Sequence, residues 1–379
     1  MLRRNQGAAL LLLLLPLLVP VGQSQRLGGG RGGGGGRGRG RQRETEITSF
    51  SRPEDLVNLR GTPYLVVSEF GTPSRSDTGA VSLLNVNTNE RIPLWTLPEG
   101  DVASTPLSPM ADPTCTPRPM GRIGPHGIDA YDNRDGTWEV AIVNHFAYES
   151  IEFYHLNFNN PDGPLPLFTK IGCTYLRNGD VHNDLSYSSD KSSIVVTLWY
   201  NNYFGTRNQL FTVAVSILGV GTDGSIKRIT RGGQVNTIVE GFNGPNGVFV
   251  HPDNNQIIYV SESPRDQIVV VNARLEDVET NTELECASIP DNISAYPGTN
   301  SFLVTRIDSG VPRTLICSTG VRCPPIRFSV LQYDYQRNRQ TVLYSGSMRG
   351  QPSVAVIKGR DLFVGTFSAN VILRVSNVV

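Results

Sequence analysis

Eight side chains carrying oxygen or imidazole donors recur in short polar motifs along a chain of 379 residues. Glu54 and Asp55 stand in PEDL (53–56), His126 in PHGI (125–128), and Asn183 and Asp184 in HNDL (182–185). Asn246 follows in PNGV (245–248), then Asp291 and Asn292 in DNIS (291–294). Taken singly, each Asn or Asp is a turn former whose side chain satisfies its own backbone. Taken together, at like places in successive segments, they form a set of carboxylate and amide oxygens with almost no thiol or lysine. That is calcium chemistry, because this hard cation takes about six to eight oxygens at flexible geometry. Zinc would call for nitrogen and sulfur, and no Cys-x-x-Cys spacing is present.

Histidine offers a second function. His126 belongs to the donor set, and His145 ends the next apolar run in IVNH. Two imidazoles close together can share a proton, one activating a water and the other tuning it. A lone histidine at a strand end is more often a hydrogen-bonded structural residue, the reading given to His155 and His251. His182, beside Asn183, receives no assigned role.

These residues need elements that bring them to one place, and the sequence repeats accordingly. Each polar motif, PSVA (352–355) included, precedes an apolar β-run by roughly ten residues: YLVVSEF, WEVAIVNH, SIVVTLWY, IIYVSES, SFLVTRI and DLFVGTF. Val, Ile, Tyr and Phe fill the runs, while Gly, Pro, Asn and Asp punctuate them. The motifs lie about 46 to 72 residues apart. The expected fold is therefore all-β, a six-bladed β-propeller, in which the start of each innermost strand borders a central channel. A sandwich would not explain the same motif preceding the same strand six times. The Pro- and Ser-rich stretch from Thr96 to Thr114 reads as an insertion loop.

The beginning of the chain sets the expected compartment. MLRRN is basic, GAALLLLLLPLLVPVG is apolar but short of the ~20 residues of a spanning helix, and Gly22 and Ser24 suit a signal peptidase. Residues 1–24 are expected to be a secretory signal, with an uncleaved, membrane-associated anchor as the rival. Residues 25–49 are expected to be a disordered Gly/Arg-rich segment that could hold a polyanion or membrane surface, and residues 50–379 the propeller. The formal charge is zero, yet all 34 acidic residues and 26 of the 34 basic ones lie in 44–379, a net −8. An acidic body suits a cation and argues against nucleic acid as a partner. Of five cysteines, Cys115 with Cys173 and Cys317 with Cys323 are candidate bridges, which leaves Cys286 over.

In PEDL, PHGIDAY…VAIVNH, HNDLSY, GFNGPNGVFVHPDNNQIIYVSE, PDNISAYP and SVAVIKGRDLFVGTF, in that order, the chain resembles the paraoxonase/arylesterase family of calcium-dependent six-bladed lactonases. The similarity covers most of residues 50–375. The resemblance implies two calcium ions: a catalytic one held by Glu54, Asn183, Asn246, Asp291 and Asn292, and a structural one held by Asp55, Asp184 and the backbone carbonyl of Ile128. It implies that His126 and His145 are the catalytic dyad and that the substrate is a small lactone or ester. It also makes Asn292-Ile293-Ser294, an acceptor triplet for N-glycosylation, a false positive, because a sugar there would block the channel. The chain departs from the family in having no cysteine before Cys115 or after Cys323, and a Gly/Arg tract in place of an apolar helix. The expected function is a secreted, calcium-dependent hydrolase of lactones and aryl esters. Its rival is a non-catalytic extracellular propeller that keeps calcium for its fold and acts as a binding or chaperone-like protein.

Overall fold

The computed structural model describes residues 42–70, 78–94, 105–115, 122–159, 165–177, 179–200, 224–274, 277–279, 286, 288–309 and 323–379. The expected signal, nearly all of the Gly/Arg tract, Cys317 and part of the 96–114 stretch lie outside these residues. What is described is a ring of six four-stranded antiparallel sheets, with no α-helix among the described residues. A first strand, β1 (Arg43–Ile47), precedes the first blade. Blade one is β2 (Pro53–Asn58), β3 (Tyr64–Glu69), β4 (Ala80–Asn85) and β5 (Glu90–Pro93). Blade two is β6 (Pro125–Asp132), β7 (Thr137–Asn144), β8 (Ser150–Asn157) and β9 (Leu167–Tyr175). Blade three is β10 (Val181–Tyr187), β11 (Ser193–Tyr200), β12 (Gly224–Thr230) and β13 (Gln234–Phe242). Blade four is β14 (Pro245–Val250), β15 (Ile257–Glu262), β16 (Gln267–Asn272) and β17 (Asp277–Glu279). Blade five is β18 (Ile289–Tyr296), β19 (Ser301–Ile307), β20 (Ile326–Asp334) and β21 (Arg339–Met348). Blade six is β22 (Pro352–Lys358), β23 (Asp361–Thr366) and β24 (Ile372–Ser376), completed by β1.

That last pairing corrects the expected boundary at residue 50. RETEI reads as part of the polar tract, but its backbone pairs with β24 from Arg43↔Ser376 to Ile47↔Ile372. Tyr344 donates to Glu44 at 2.6 Å and Arg349 pairs with Glu46 at 2.5 Å, tying the same strand to blade five. The propeller therefore begins at Arg43.

Hydrophobic cores fill the spaces between blades. Val66, Val81 and Leu83 of blade one pack against Ile128, Val140 and Ile142 of blade two. Leu56, Leu65 and Val67 pack against Val354, Val356 and Phe363 across the closure. A strand such as β7 (TWEVAIVN), covered on both faces, is buried along its whole length, which is why such strands read as near-continuous apolar runs. The stretch expected as an insertion loop is more ordered than a loop where it is described. Met110 is buried, Ser108 and Asp112 hydrogen-bond the backbone of β9, and Cys115 bridges Cys173 on that strand. The bridge joins the approach to blade two with its outermost strand. Cys323 is also in a disulfide, while Cys286 is free and buried.

Candidate functional site

The six polar motifs lie within the first residues of the six innermost strands, and each sits at a break in register with its partner strand. The breaks fall at Pro53/Asp55, Pro125/Ile128, Val181 to Leu185, Pro245/Val248, Pro290/Ile293 and Pro352/Ala355. Four of these strands open on proline and a fifth, β18, carries it second; proline lacks a ladder N–H and suits such a position. A bulge then leaves its extra residues unpaired and turns their side chains out of the ladder. These motifs are thus bulged strand starts, not turns, and the bulge aims their polar side chains. Two glycines permit the crowding. A Cβ on Gly127 would lie 2.5 Å from the Asp184 Cα, and one on Gly247 would lie 2.5 Å from the Ile293 nitrogen.

At the upper level Glu54, Asn183 and Asn292 are buried, while Asn246 and Asp291 are half-buried. The amide NH2 groups engage the carboxylates: Asn292 Nδ2 donates to Glu54 Oε1 at 2.9 Å, and the Asn246 side chain hydrogen-bonds Asp291. Four oxygens are left buried with no hydrogen-bond partner: Glu54 Oε2, Asn183 Oδ1, Asn246 Oδ1 and Asn292 Oδ1. They come from four different blades. Buried acceptors without donors are costly, and four together suit a cation that takes oxygen ligands. Among the described residues, no cluster of three His, Cys, Asp or Glu side chains suited to a metal is found; the donors here are mainly amides. The burial of Asn292, with its nitrogen turned to Glu54, also removes it as a sugar acceptor.

The lower level is different in kind. Asp55 accepts from the backbone N–H groups of Ile128 (2.7 Å) and Leu56 (2.8 Å), Asp184 from those of Val248 (2.9 Å) and Leu185 (2.7 Å). Each carboxylate therefore stitches its blade to the next. Asp129, absent from the expected set, does the same with Tyr187 at 2.8 Å. A cavity of about 350 Å³ continues along the inner strands from Asp55, Ile128 and Asp184. Glu54, His126 and His145 are not among the residues that line it.

Among the described residues no Lys or Arg pairs with any of these acids. Burial, followed by neighbouring Asp55 and Asp291, pushes Glu54 well above the carboxylate range. Burial pushes Asp55 up to about 8, Asp291 to about 7 and Asp129 to about 6. Burial, with Asp55 beside it, raises Asp184 well above its ordinary value. Charges buried at this density demand protons or a counter-cation.

His126 Nδ1 lies 2.9 Å from His145 Nε2, and His126 Nε2 lies 3.6 Å from Glu54 Oε1. Burial, then the adjacent His145, holds the His126 imidazole well below its usual value, while Glu149 and a backbone hydrogen bond with His182 act the other way. Phe70 packs on the His126 ring, with centroids 4.7 Å apart, and Phe367 packs on Phe70 at 5.1 Å. The sequence reading missed Glu149. Its Oε2 lies 2.9 Å from His145 Nδ1, and its Oε1 accepts the His182 N–H at 2.7 Å and faces His182 Nδ1 at 3.1 Å. The short spacing from His145 to Glu149 was the only signal available. His155 and His251 lie apart from this group, in the β8–β9 pairing and a β14–β15 turn.

The family model described as Arylesterase matches residues 77–373. The chain is also similar to protocadherin gamma-A7 of Pan troglodytes and of Homo sapiens, at 21% identity over 359 residues. That match covers 79% of this chain and 37% of theirs, so the chain spans little more than a third of the length of the curated relatives it matches. Among solved structures it is similar to a luciferin-regenerating enzyme, with a TM-score of 0.51, 10% identity, and 88% of this chain and 95% of that one covered. It is likewise similar to a protein assigned as a gluconolactonase, with a TM-score of 0.50, 11% identity, and 88% and 92% covered. At such identities the likeness is one of fold.

Proposed function

The chain belongs to the arylesterase family, and from that premise we propose that it is a secreted, calcium-dependent hydrolase of lactones and aryl esters. One observation carries the reading. Four partnerless buried oxygens from four blades face one end of the channel, beside a hydrogen-bonded pair of histidines. Glu54, Asn183, Asn246, Asp291 and Asn292 would hold a calcium ion there, and Asp55, Asp184 and the Ile128 carbonyl a second, structural one. The first ion would act as a Lewis acid toward the ester carbonyl.

This chain's own residues supply the rest. His126, kept neutral by burial, takes a proton from the attacking water through Nε2, and His145 shares the resulting positive charge through their 2.9 Å contact. The water oxygen bonds to the acyl carbon, the ester C–O bond breaks, and the proton passes to the leaving alkoxide or phenoxide. A lactone thus opens to a hydroxy acid, and an aryl ester gives an acid and a phenol. Phe70 and Phe367 form an apolar wall over His126 that excludes bulk water from the base.

The test is turnover of phenyl acetate and of a simple γ-lactone by purified protein, with calcium and after chelation. Turnover that disappears on chelation and returns with calcium is expected, with a lower melting temperature for the chelated protein, since an ion bound only to the folded state stabilises it. A protein that binds calcium yet turns over neither substrate would instead be a calcium-stabilised binding propeller. Full activity without calcium would overturn the metal assignment.

A further inference from the structure

Glu149 stands outside the donor set and outside the pair of histidines, yet it joins them. It is 1% exposed and sits in the short loop between β7 and β8, where Ala147 turns through a left-handed backbone conformation (φ 60°). Its backbone carbonyl accepts the Leu176 N–H at 3.0 Å, which pins the loop to the end of blade two. One carboxylate oxygen faces His145 Nδ1, and the other holds both the backbone N–H and the ring of His182, the residue before Asn183. No Lys or Arg among the described residues shares it.

We propose that Glu149 is a positioning residue that sets the proton positions of the histidine pair, so that the free lone pair of the pair lies on His126 Nε2. The inference rests on the hydrolytic reading above. A carboxylate offers only acceptors, so the His145 nitrogen 2.9 Å away must carry the hydrogen. In the neutral ring His145 Nε2 is then a lone pair, and the one hydrogen able to fill the 2.9 Å contact with His126 is the one on His126 Nδ1. With His145 neutral this leaves His126 Nε2 unprotonated; of the other acceptors around the ring, Glu54 Oε1 at 3.6 Å lies beyond hydrogen-bond reach, and the His182 backbone, which also hydrogen-bonds His126, is the remaining one. Burial alone would raise the Glu149 carboxyl, but His145 and His182 outweigh it and hold it at about 2, so it remains an anion. When His126 takes a proton through Nε2, its Nδ1 hydrogen can pass to His145 while the His145 Nδ1–H stays on Glu149. The carboxylate orients and offsets the charge without being protonated itself. Through its second oxygen it also fixes the strand start that presents Asn183.

Glu149→Gln tests this. The amide has a single acceptor oxygen; when that oxygen serves the two His182 donors, its NH2 meets His145 Nδ1 and reverses both rings, placing the hydrogen of His126 on Nε2. The expected result is a kcat lower by roughly 10²-fold or more, the scale of losing a general base. KM should stay within about threefold and calcium affinity should be unchanged, with partial recovery in Glu149→Asp. Long-range proton–nitrogen correlation in histidine-labelled protein supplies a readout independent of activity. It should show His145 protonated on Nδ1 in the wild type and on Nε2 in Glu149→Gln. Should Glu149→Gln fail to fold, the wild-type rings and the kcat of Glu149→Asp decide. A wild-type His145 protonated on Nε2, or Glu149→Gln with unchanged kcat, overturns the proposal. A wild type that hydrolyses no ester but shows the expected ring protonation overturns the hydrolytic reading and leaves the proton arrangement standing.

Discussion

His126→Gln should reduce lactone and phenyl acetate turnover by roughly 10²-fold or more while calcium per chain stays constant. Rates and elemental analysis of the same sample check both halves. The reason lies in position: the His126 side chain is not among the buried oxygens left without a partner, so its loss removes a base without removing a calcium donor. Glu149 adds a dependence on pH. Its folded value of about 2 lies below the ordinary 4.5, so its carboxylate contributes stability in full above about pH 4.5. That stability is lost as pH falls through about 2, where both folded and unfolded chains are protonated. The gap in melting temperature between wild type and Glu149→Gln should accordingly be widest and level above about pH 4.5 and shrink as the pH falls from there toward about 2. A gap that is constant or grows on acidification would contradict the assigned charge. At this scale the donor residues were legible because Glu54, Asn183, Asn246, Asp291 and Asn292 occupy like places in a repeat. Glu149 was not, because its meaning depends on a loop that folds it back beneath His145 and against His182, a neighbour from another blade.

Among the elements, the bulged strand start does most to build the site. It needs a proline or equivalent before it, a polar residue within it, and room beside it. Gly127 provides the room between β6 and β10, since a Cβ would lie 2.5 Å from the Asp184 Cα and 2.6 Å from the Asn183 carbonyl oxygen. Both contacts are backbone atoms that cannot swing aside. Gly127→Ala should therefore destabilise the protein by about 1–3 kcal/mol, the usual cost of overpacking, and weaken calcium binding by displacing Asn183. Denaturant unfolding together with calcium titration checks both, and an unchanged affinity would separate Asn183 from the ion. The strands themselves were legible as apolar runs, because β3, β7, β11, β15, β19 and β23 are covered on both sides. The bulges were not, since PHGI and PNGV carry the composition of turns, and only the register of the neighbouring strand shows that they continue a sheet.

For the whole molecule, closure of the ring is the decisive feature. The sequence showed six units but placed the start of the body at residue 50, because RETEI is polar, largely exposed and far in the chain from the strand it pairs with. Removing residues 1–41 should leave calcium binding and turnover intact. Removing residues 1–47 takes away β1, uncovers the β24 edge and loses the Tyr344–Glu44 and Arg349–Glu46 contacts. The longer deletion should melt at a lower temperature and aggregate, as exposed strand edges do; equal melting curves for the two would show that β1 is dispensable. The same strand has a consequence for the order of events in time. Five blades are built from strands consecutive in the chain and can form as soon as those strands exist, whereas the sixth waits until Ile372–Ser376 can meet Arg43–Ile47. Bringing such distant segments together is slow. A five-bladed arc with an open side therefore precedes the closed ring during biosynthesis, its first strand idle until that seam is sewn.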